Sequence, residues 1–436
     1  MPTSTQPLFD CGIKVNVAIR DVVVACPDAR PPAYQAVIGL DRVGRLDRFV
    51  TGFYHRGNRP SQGYWLSGLD RKLARRNHPE IPSDRVVSRP FFDVCLAAEN
   101  RVSGSLRNSI ARLRTDRFDR SVLADLQQKS TRTLLAFSDV ASEHTLPFCR
   151  KNEIRTVLSM VHGEVREEIE ILEREQARSP EFFEIYLGNG PIDRRELAWL
   201  HDRRLRELAL ADLVLVPSEH IAGRLRAHGI EADRIEVIPY AADTRHFVPI
   251  REKKHNDTCR FLFAGGITQR KGIKDLLDAW RLIRRPGWTL QLLGAMPRNT
   301  RPLEPYRSEF EWLGRVGHAE MPSVMAAADV FVFPSLFEGS AVVTYEAMAC
   351  GLPSIVTAES GSVARNHRDG LIVPAADPDA LSQAMARLGN DPELRESLSH
   401  SARSRALEYD WTRYHQSVEN ALAPVQFKDK EAALWI

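Results

Sequence analysis

Residues 331–351, FVFPSLFEGSAVVTYEAMACG, decide the fold of this chain. The apolar run Phe331–Phe333 reads as a buried strand. A short loop then carries Glu338, Gly339 and Ser340. A helix opens near Ala341 and stops at Gly351, a residue type favoured just past a helix end. A helix N-terminus at the carboxyl end of a parallel strand is a ready anion site, because its first N–H groups lack intrahelical partners. Glu338 falls in the loop and Glu346 in the second turn of the helix. Two carboxylates so placed suit different ends of one ligand, one meeting sugar hydroxyls and the other ribose hydroxyls. The plainer alternative is an exposed helix residue and a partner for the helix dipole.

Working outward, the same strand–loop–helix pattern recurs on both sides. Strands are expected at Arg260–Ala264, Thr289–Leu293, near Trp312, at Val330–Phe333, Ser354–Thr357 and Leu371–Val373. Helices are expected at Gly272–Ile283, Met321–Ala327 and Ala341–Cys350, and from Pro378. Earlier in the chain, strands are expected at Arg20–Cys26, Phe49–Tyr54, Thr133–Phe137, Thr156–Val161 and Ala211–Ser218, with a helix over Ala33–Leu46. Strands alternating with helices argue for parallel sheets covered on both faces. Tyr240–Asp257 is polar, holds Pro249 and lacks periodicity, so it reads as an interdomain linker. The expected fold class is therefore α/β, with two Rossmann-like, doubly wound domains facing a cleft.

A second loop sits in FLFAGGITQRKGI, residues 261–273. A strand ends at Gly265 and Gly266, and Arg270 and Lys271 precede a helix starting near Gly272. Two cations beside a glycine-permitted backbone and a helix N-terminus suit a diphosphate. Neither GxxxxGK[ST] nor GxGxxG is present, which removes support for a Walker nucleotidase or a dinucleotide dehydrogenase. Asp377-Pro378-Asp379 imitates a metal-binding pair, but its place before a helix makes Asp377 an N-cap. Ser159-Met160-Val161-His162-Gly163 ends an expected strand, so His162 is expected to face the cleft and to hydrogen-bond a ligand hydroxyl.

Composition narrows the class. The 436 residues are 43% hydrophobic and 27% charged, the profile of an ordinary globular protein long enough for two or three domains. No stretch approaches the roughly 20 apolar residues that cross a bilayer. The start, MPTSTQPLFDCGIKVNV, lacks a basic region followed by an apolar one, so no secretory signal is expected. Cys11, Cys26, Cys95, Cys149, Cys259 and Cys350 are scattered singly, which favours reduced thiols in a cytoplasmic chain over a zinc or redox motif. Net charge is +3, but residues 1–130 carry 21 Lys and Arg against 13 Asp and Glu. Leu106, Ile110 and Leu113 share a helical face among Arg107, Arg112 and Arg114, with Arg71, Lys72, Arg75 and Arg76 nearby in sequence. This segment reads either as a half-buried surface helix or as a contact with an anionic membrane surface. Aromatic residues are not interleaved with the cations, so nucleic acid is not an expected partner.

The two loops together resemble glycosyltransferase family 4 (glycosyl transferases group 1), retaining nucleotide-sugar-dependent enzymes of the GT-B fold. The resemblance is carried by GGITQRKG at 265–272, by ADVFVFPSLFEGSAVVTYEAMACGLP at 328–353 with its paired glutamates, and by the stretch from Ser360 to Ala384. It covers about 255–415 and reaches back through 211–225 and 235–249. In place of the family's N-terminal glycine-glycine loop stands Pro27-Asp28-Ala29-Arg30-Pro31-Pro32, and Gly266 stands where many relatives have arginine.

The resemblance implies an acceptor-binding domain over 1–245, a donor-binding domain over 255–410, and a crossover helix and tail over 411–436. It implies a hexosyltransferase-type enzyme moving a sugar from a nucleotide-diphosphate donor to a glycan or lipid-linked acceptor. Lys271 and Arg270 would bind the diphosphate beside Gly265 and Gly266, Glu338 the transferred sugar and Glu346 the ribose. Backbone groups of Gly339, Ser340, Ala341 and Val342 would cradle phosphate, and Val316 would lie by the base. No cofactor and no metal are implied. Two other readings stay open. One is a different GT-B enzyme, a sugar phosphorylase or nucleotide-sugar epimerase. The other is a nucleotide-sugar-binding scaffold without transfer.

Overall fold

The computed structural model of the chain describes residues 20–55, 76–99, 101–102, 104–128, 131–188, 192–249 and 258–423. Arg71, Lys72, Arg75, Cys11, the end of the expected linker and the C-terminal tail lie outside the described residues.

Two parallel sheets organise the molecule. The first contains β1 (Val22–Ala25), β2 (Leu46–Thr51), β3 (Val86–Ser88), β4 (Thr133–Phe137), β5 (Arg155–Ser159), β6 (Leu213–Val216) and β7 (Ile235–Val237), in the order β3-β2-β1-β4-β5-β6-β7. The second contains β8 (Cys259–Ala264), β9 (Trp288–Leu293), β10 (Glu311–Gly314), β11 (Val330–Phe333), β12 (Ser354–Val356) and β13 (Gly370–Ile372), in the order β10-β9-β8-β11-β12-β13. Central strands such as Val22–Ala25 and Val330–Phe333 are buried along their length, as strands covered by helices on both faces must be. Strand order reverses between β1 and β4, and again between β8 and β11. Open α/β sheets bind ligands in the crevice that such a reversal creates at the carboxyl ends of the strands. The two glycine-bearing loops read from the sequence leave β8 and β11, so topology alone puts them side by side.

Several boundaries differ from the sequence reading. The helix expected to reach Leu46 spans Pro31–Arg42. Gly44, at φ 72°, turns the chain out of the helix, and Leu46 already opens β2, three residues before the strand expected at Phe49. The three-residue strands β3 and β7 had no expectation. The described part of the expected linker is packed at some residues and exposed at others, such as Asp243 and Val248. Tyr240, Ala241, Ala242 and Phe247 are buried, and the Arg403 guanidinium donates to the Phe247 and Thr244 carbonyls.

The helix Trp411–Ala421 crosses back to the first domain and lies on the helix Pro31–Arg42. Tyr414 Oη donates to the Pro32 carbonyl at 3.2 Å, and His415 Nε2 meets Gln35 Oε1 at 2.8 Å. A second bridge comes from the helix Val165–Arg178. Arg178 reaches across to Asp275 at 2.6 and 3.0 Å while also pairing with Glu175 on its own helix. Ile171, Leu172, Tyr186, Leu336 and Phe337 form a small apolar cluster between the domains. Among the described residues no helix is long and apolar enough to cross a membrane.

Candidate active site

The loop after β8 is fixed by backbone contacts from both domains. Gly265 N–H donates to the Leu293 carbonyl at 2.9 Å, and the short 3-10 turn Gln269–Lys271 follows. Gly272 ends this turn at φ 70°, and a Cβ there would lie 2.0 Å from the Pro334 carbonyl oxygen, so only glycine fits. The first domain then grips the turn. Gln269 N–H and Arg270 N–H donate to the Ile185 and Tyr186 carbonyls at 3.3 and 3.2 Å. The fully buried Gln269 amide donates to Glu175 Oε2 at 2.6 Å, while its oxygen accepts Lys274 N–H at 3.1 Å. Arg270 and Lys271 are thereby held on a short, doubly anchored segment.

The loop after β11 docks on the opposite wall. A Cβ at Gly339 would lie 2.4 Å from the Val161 carbonyl oxygen, and Ser218 Oγ donates to the Gly339 carbonyl at 3.0 Å. Glu338 is thus delivered to the seam between the domains. Its carboxylate ion-pairs with the Lys271 ammonium and lies 3.4 Å from Arg270 Nη1 and 3.5 Å from Ser335 Oγ. Burial pushes the Glu338 carboxyl up, but Lys271 and Arg270 outweigh it and hold it below the ordinary carboxylate range. Burial and the neighbouring Arg270 charge lower the Lys271 ammonium, against the pull of Glu338. The Lys271 ammonium also sits over the Phe333 ring, 4.9 Å from its centroid. The site therefore holds two cations and one anion, a net positive charge in partly dry surroundings.

The helix that follows spans Val342–Ala349, with Ala341 as its N-cap residue. Ala341 N–H is taken by the Ser360 carbonyl at 3.0 Å. The N–H groups of Val342 and Val343, in the first turn, have no intrahelical acceptor. Ser340 Oγ donates to the Gly361 carbonyl at 2.7 Å, which pins the loop. Glu346 is nearly buried on this helix, and its Oε1 lies 3.4 Å from His318 Nε2. His318 stacks on His246, 5.5 Å between centroids and 15° between planes. Its link to Glu346 raises the His318 pKa above the ordinary imidazole value, against the effect of burial. Val316 lies two residues before His318, beside the Gly314 turn at φ 73°. Gly314 accepts Gly294 N–H at 2.7 Å. His318 was not singled out in the sequence, although it directly follows the loop read as meeting the base. Asp377 caps the helix Pro378–Asn390 by accepting Ala380 N–H at 2.8 Å.

His162 lies at the end of β5, across the seam from Gly339. Its ring is mostly buried, and Nδ1–H donates to the Gly163 carbonyl at 2.8 Å. Nε2 points at Asp139 Oδ1, 3.8 Å away, and is itself buried. Burial and the Arg204 charge push the His162 pKa down to about 4, so the ring is neutral at physiological pH. Asp139 follows β4 in a left-handed conformation, φ 78°, and is held by Arg204 at 2.7 and 3.2 Å. Burial raises the Asp139 carboxyl, but Arg204 and His162 hold it well below the usual range. Neither Asp139 nor Arg204 carried a local sequence signal, since the fold brings them together across 65 positions.

Two facing doubly wound domains, with a paired-loop site at the switch point of the second, are the GT-B architecture. Sucrose-phosphate synthase from Thermosynechococcus elongatus superposes with a TM-score of 0.64 at 19% identity, over 92% of this chain and 98% of that one. Anabaena Alr3699/HepE in complex with UDP and glucose superposes with a TM-score of 0.57 at 15% identity, over 92% and 98%. Within this fold, residues 258–391 match the profile of the family described as glycosyl transferases group 1. The D-inositol 3-phosphate glycosyltransferase of Pseudarthrobacter chlorophenolicus is 32% identical over 245 residues, which is 48% of this chain and 56% of that protein. The chain spans roughly half the length of the curated relatives it matches.

Proposed function

We propose that the protein is a retaining glycosyltransferase. It moves a hexose from a nucleotide-diphosphate sugar to a hydroxyl of a glycan or lipid-linked saccharide in glycoconjugate synthesis. The observation that carries this reading is the Lys271–Glu338–Arg270 cluster on two loops at one switch point. Glu338 stands as an anion against the two cations. The donor's diphosphate takes that place, supported by the free first-turn N–H groups of the helix Val342–Ala349. As the glycosidic bond breaks, negative charge grows on the diphosphate and positive charge on the sugar. Lys271 and Arg270 stabilise the first, and Glu338, displaced toward the sugar, stabilises the second. Glu346 holds the ribose hydroxyls, and Val316 lies by the base. No carboxylate besides Glu338 is assigned to the sugar, so attack comes from the leaving-group face and a phosphate oxygen takes the acceptor proton. No metal has a role in this scheme.

The same reading places the chain in the cytoplasm, touching an anionic membrane surface through the helix Gly104–Leu126. Leu106 and Leu113 there are 57% and 47% exposed, next to Arg107.

The test is transfer itself. The protein is incubated with UDP-, GDP- and ADP-hexoses and a panel of saccharide and lipid-linked acceptors, and products are followed by mass spectrometry and NMR. Free nucleoside diphosphate should appear together with a glycoside of the donor's anomeric configuration. An inverted product contradicts the retaining step. Donor breakdown that requires inorganic phosphate points to a phosphorylase instead.

Glu346 also sets a pH dependence. Below its raised pKa, His318 is an imidazolium that pairs with Glu346 and competes with ribose hydroxyls. Above it the neutral ring releases the carboxylate. Nucleotide affinity should therefore fall as pH drops from 8 to 6. The His318 ring is 69% exposed and solvent screens its pairing with the nearly buried Glu346, so the pair is worth about 0.2–1 kcal/mol and the change is roughly 1.5- to 5-fold. Titration calorimetry at the two pH values checks this, and His318→Ala should flatten the dependence.

A further inference from the structure

The turn that carries Arg270 and Lys271 belongs to the second domain, but two of its backbone N–H groups find their acceptors in the first. Gln269 N–H and Arg270 N–H donate to the Ile185 and Tyr186 carbonyls at 3.3 and 3.2 Å. Two residues on, the Gly188 carbonyl accepts Arg298 N–H at 3.0 Å, so one first-domain segment clasps the loops after both β8 and β9. The fit is close: Gly188 stands at φ 75°, and a Cβ there would lie 2.8 Å from Thr268 Cγ2.

Beneath this clasp lies a cluster of buried polar side chains. Glu175 and Gln269 are wholly buried, and Asp275 is nearly so. Gln269 Nε2 donates to Glu175 Oε2 at 2.6 Å and approaches Asp275 Oδ2 at 3.4 Å. Arg178 closes the cluster, donating to Glu175 at 3.1 and 3.0 Å and to Asp275 at 2.6 and 3.0 Å. Two carboxylates against one guanidinium leave a net negative charge, which turns the Gln269 amide so that its N–H groups face the carboxylates. Its oxygen is thereby left for Lys274 N–H, 3.1 Å away in the first turn of the helix Ile273–Ile283. A buried amide that loses its partners is costly, so the cluster admits one arrangement of Gln269. Gln269, Arg270 and Lys271 form a single 3-10 turn, and fixing its first residue fixes the two cations that follow. An apolar seam would hold two domains together at less desolvation cost. A buried ionic cluster one residue from the cations suits the setting of a geometry better than adhesion.

We propose that Glu175 and Gln269 are positioning residues, through which the first domain sets the turn that aims Arg270 and Lys271. Tight capture of a diphosphate by the second domain then depends on a carboxylate of the first. The proposal rests on the donor-site reading for what the two cations bind, while the positioning of the turn stands without it.

The experiment is a charge swap in the full chain. Gln269→Glu sets a carboxylate against Glu175, and adding Glu175→Gln restores a donor between the two side chains and the original total charge. Hydrogen exchange without ligand follows residues 267–272. Calorimetry follows UDP, GDP and ADP, each beside its monophosphate. In Gln269→Glu the amides of residues 269 and 270 should exchange about tenfold faster. Diphosphate affinity should fall about tenfold, the order of one hydrogen bond to a charged group, with monophosphate affinity unchanged. The double variant should exchange more slowly than Gln269→Glu and bind diphosphate about threefold more tightly, the coupling expected of side chains in contact. If Gln269→Glu does not unfold cooperatively, Glu175→Ala, which leaves the Gln269 amide only the longer contact with Asp275, should give the same faster exchange and the same selective loss. Unchanged exchange in these variants, equal losses toward mono- and diphosphates, or a double variant no better than Gln269→Glu overturns the proposal. If the wild type binds none of the three diphosphates, the donor-site reading falls, and the exchange measurement alone decides the positioning.

Discussion

Lys271→Ala should weaken nucleoside-diphosphate binding by about 10- to 150-fold, the worth of one hydrogen bond to a charged group, roughly 1.5–3 kcal/mol. The loss should be confined to ligands carrying a β-phosphate, so the monophosphate of the same nucleoside should bind variant and wild type alike. This selectivity separates a lost contact from a damaged domain. The variant also leaves the buried Glu338 carboxylate with Arg270 alone, 3.4 Å away. Breaking one arm of a buried ionic cluster is destabilising, so the melting temperature should fall by a few degrees while unfolding stays cooperative. Calorimetric titration with paired mono- and diphosphates reads the first effect, and thermal unfolding the second. Equal weakening toward mono- and diphosphates would show that Lys271 does not meet the β-phosphate.

Glu338→Gln should act in the opposite sense on binding and in the same sense on turnover. The substitution keeps the side chain's shape but removes the charge that pairs with Lys271 and Arg270. A diphosphate then has no internal anion to displace, and its affinity should stay level or rise. Turnover should fall by about 10²- to 10³-fold, because a preorganised charge facing the developing charge on the sugar is gone. Steady-state kinetics with saturating donor, beside equilibrium binding of the nucleotide, give the two numbers separately. Unchanged turnover would remove Glu338 from the chemistry. A fall in binding comparable to that in Lys271→Ala would make it a structural support for the loop.

The sequence disclosed the second-domain half of the candidate site far better than the first-domain half, and the reason is local. Lys271 and Glu338 each sit in a short loop between an apolar strand and a helix, so strand, turn and helix signals converge within about a dozen residues. That the two side chains touch across 67 positions was not in the spacing. It follows from β8 and β11 being neighbours at the switch point. The paired glutamates were visible, whereas the His318 partner of Glu346 sits in a loop that offers no periodicity. In the first domain, Asp139 and Arg204 meet only after β4 and the helix Arg194–Leu210 have packed. Residues so far apart leave no pattern in one sequence. The strands β3 and β7 were missed because each follows directly on a short turn carrying charged residues, Ser83–Arg85 and Ala232–Arg234, which hides two apolar residues in polar sequence. The helix Pro31–Arg42 was overrun because Val43 and Leu46 continue its apolar spacing past the Gly44 turn.

The central claim is that the loops after β8 and β11 form a site for a nucleoside diphosphate. The most direct measurement is a calorimetric titration of the wild-type chain with UDP, GDP and ADP, each beside its monophosphate. A ligand at 100 times its dissociation constant stabilises the fold by about 2.7 kcal/mol, so thermal unfolding gives an independent check on the same samples. The account predicts that one of the three diphosphates binds, more tightly than its monophosphate, and raises the melting temperature. Failure of all three to bind a protein that unfolds cooperatively would contradict it.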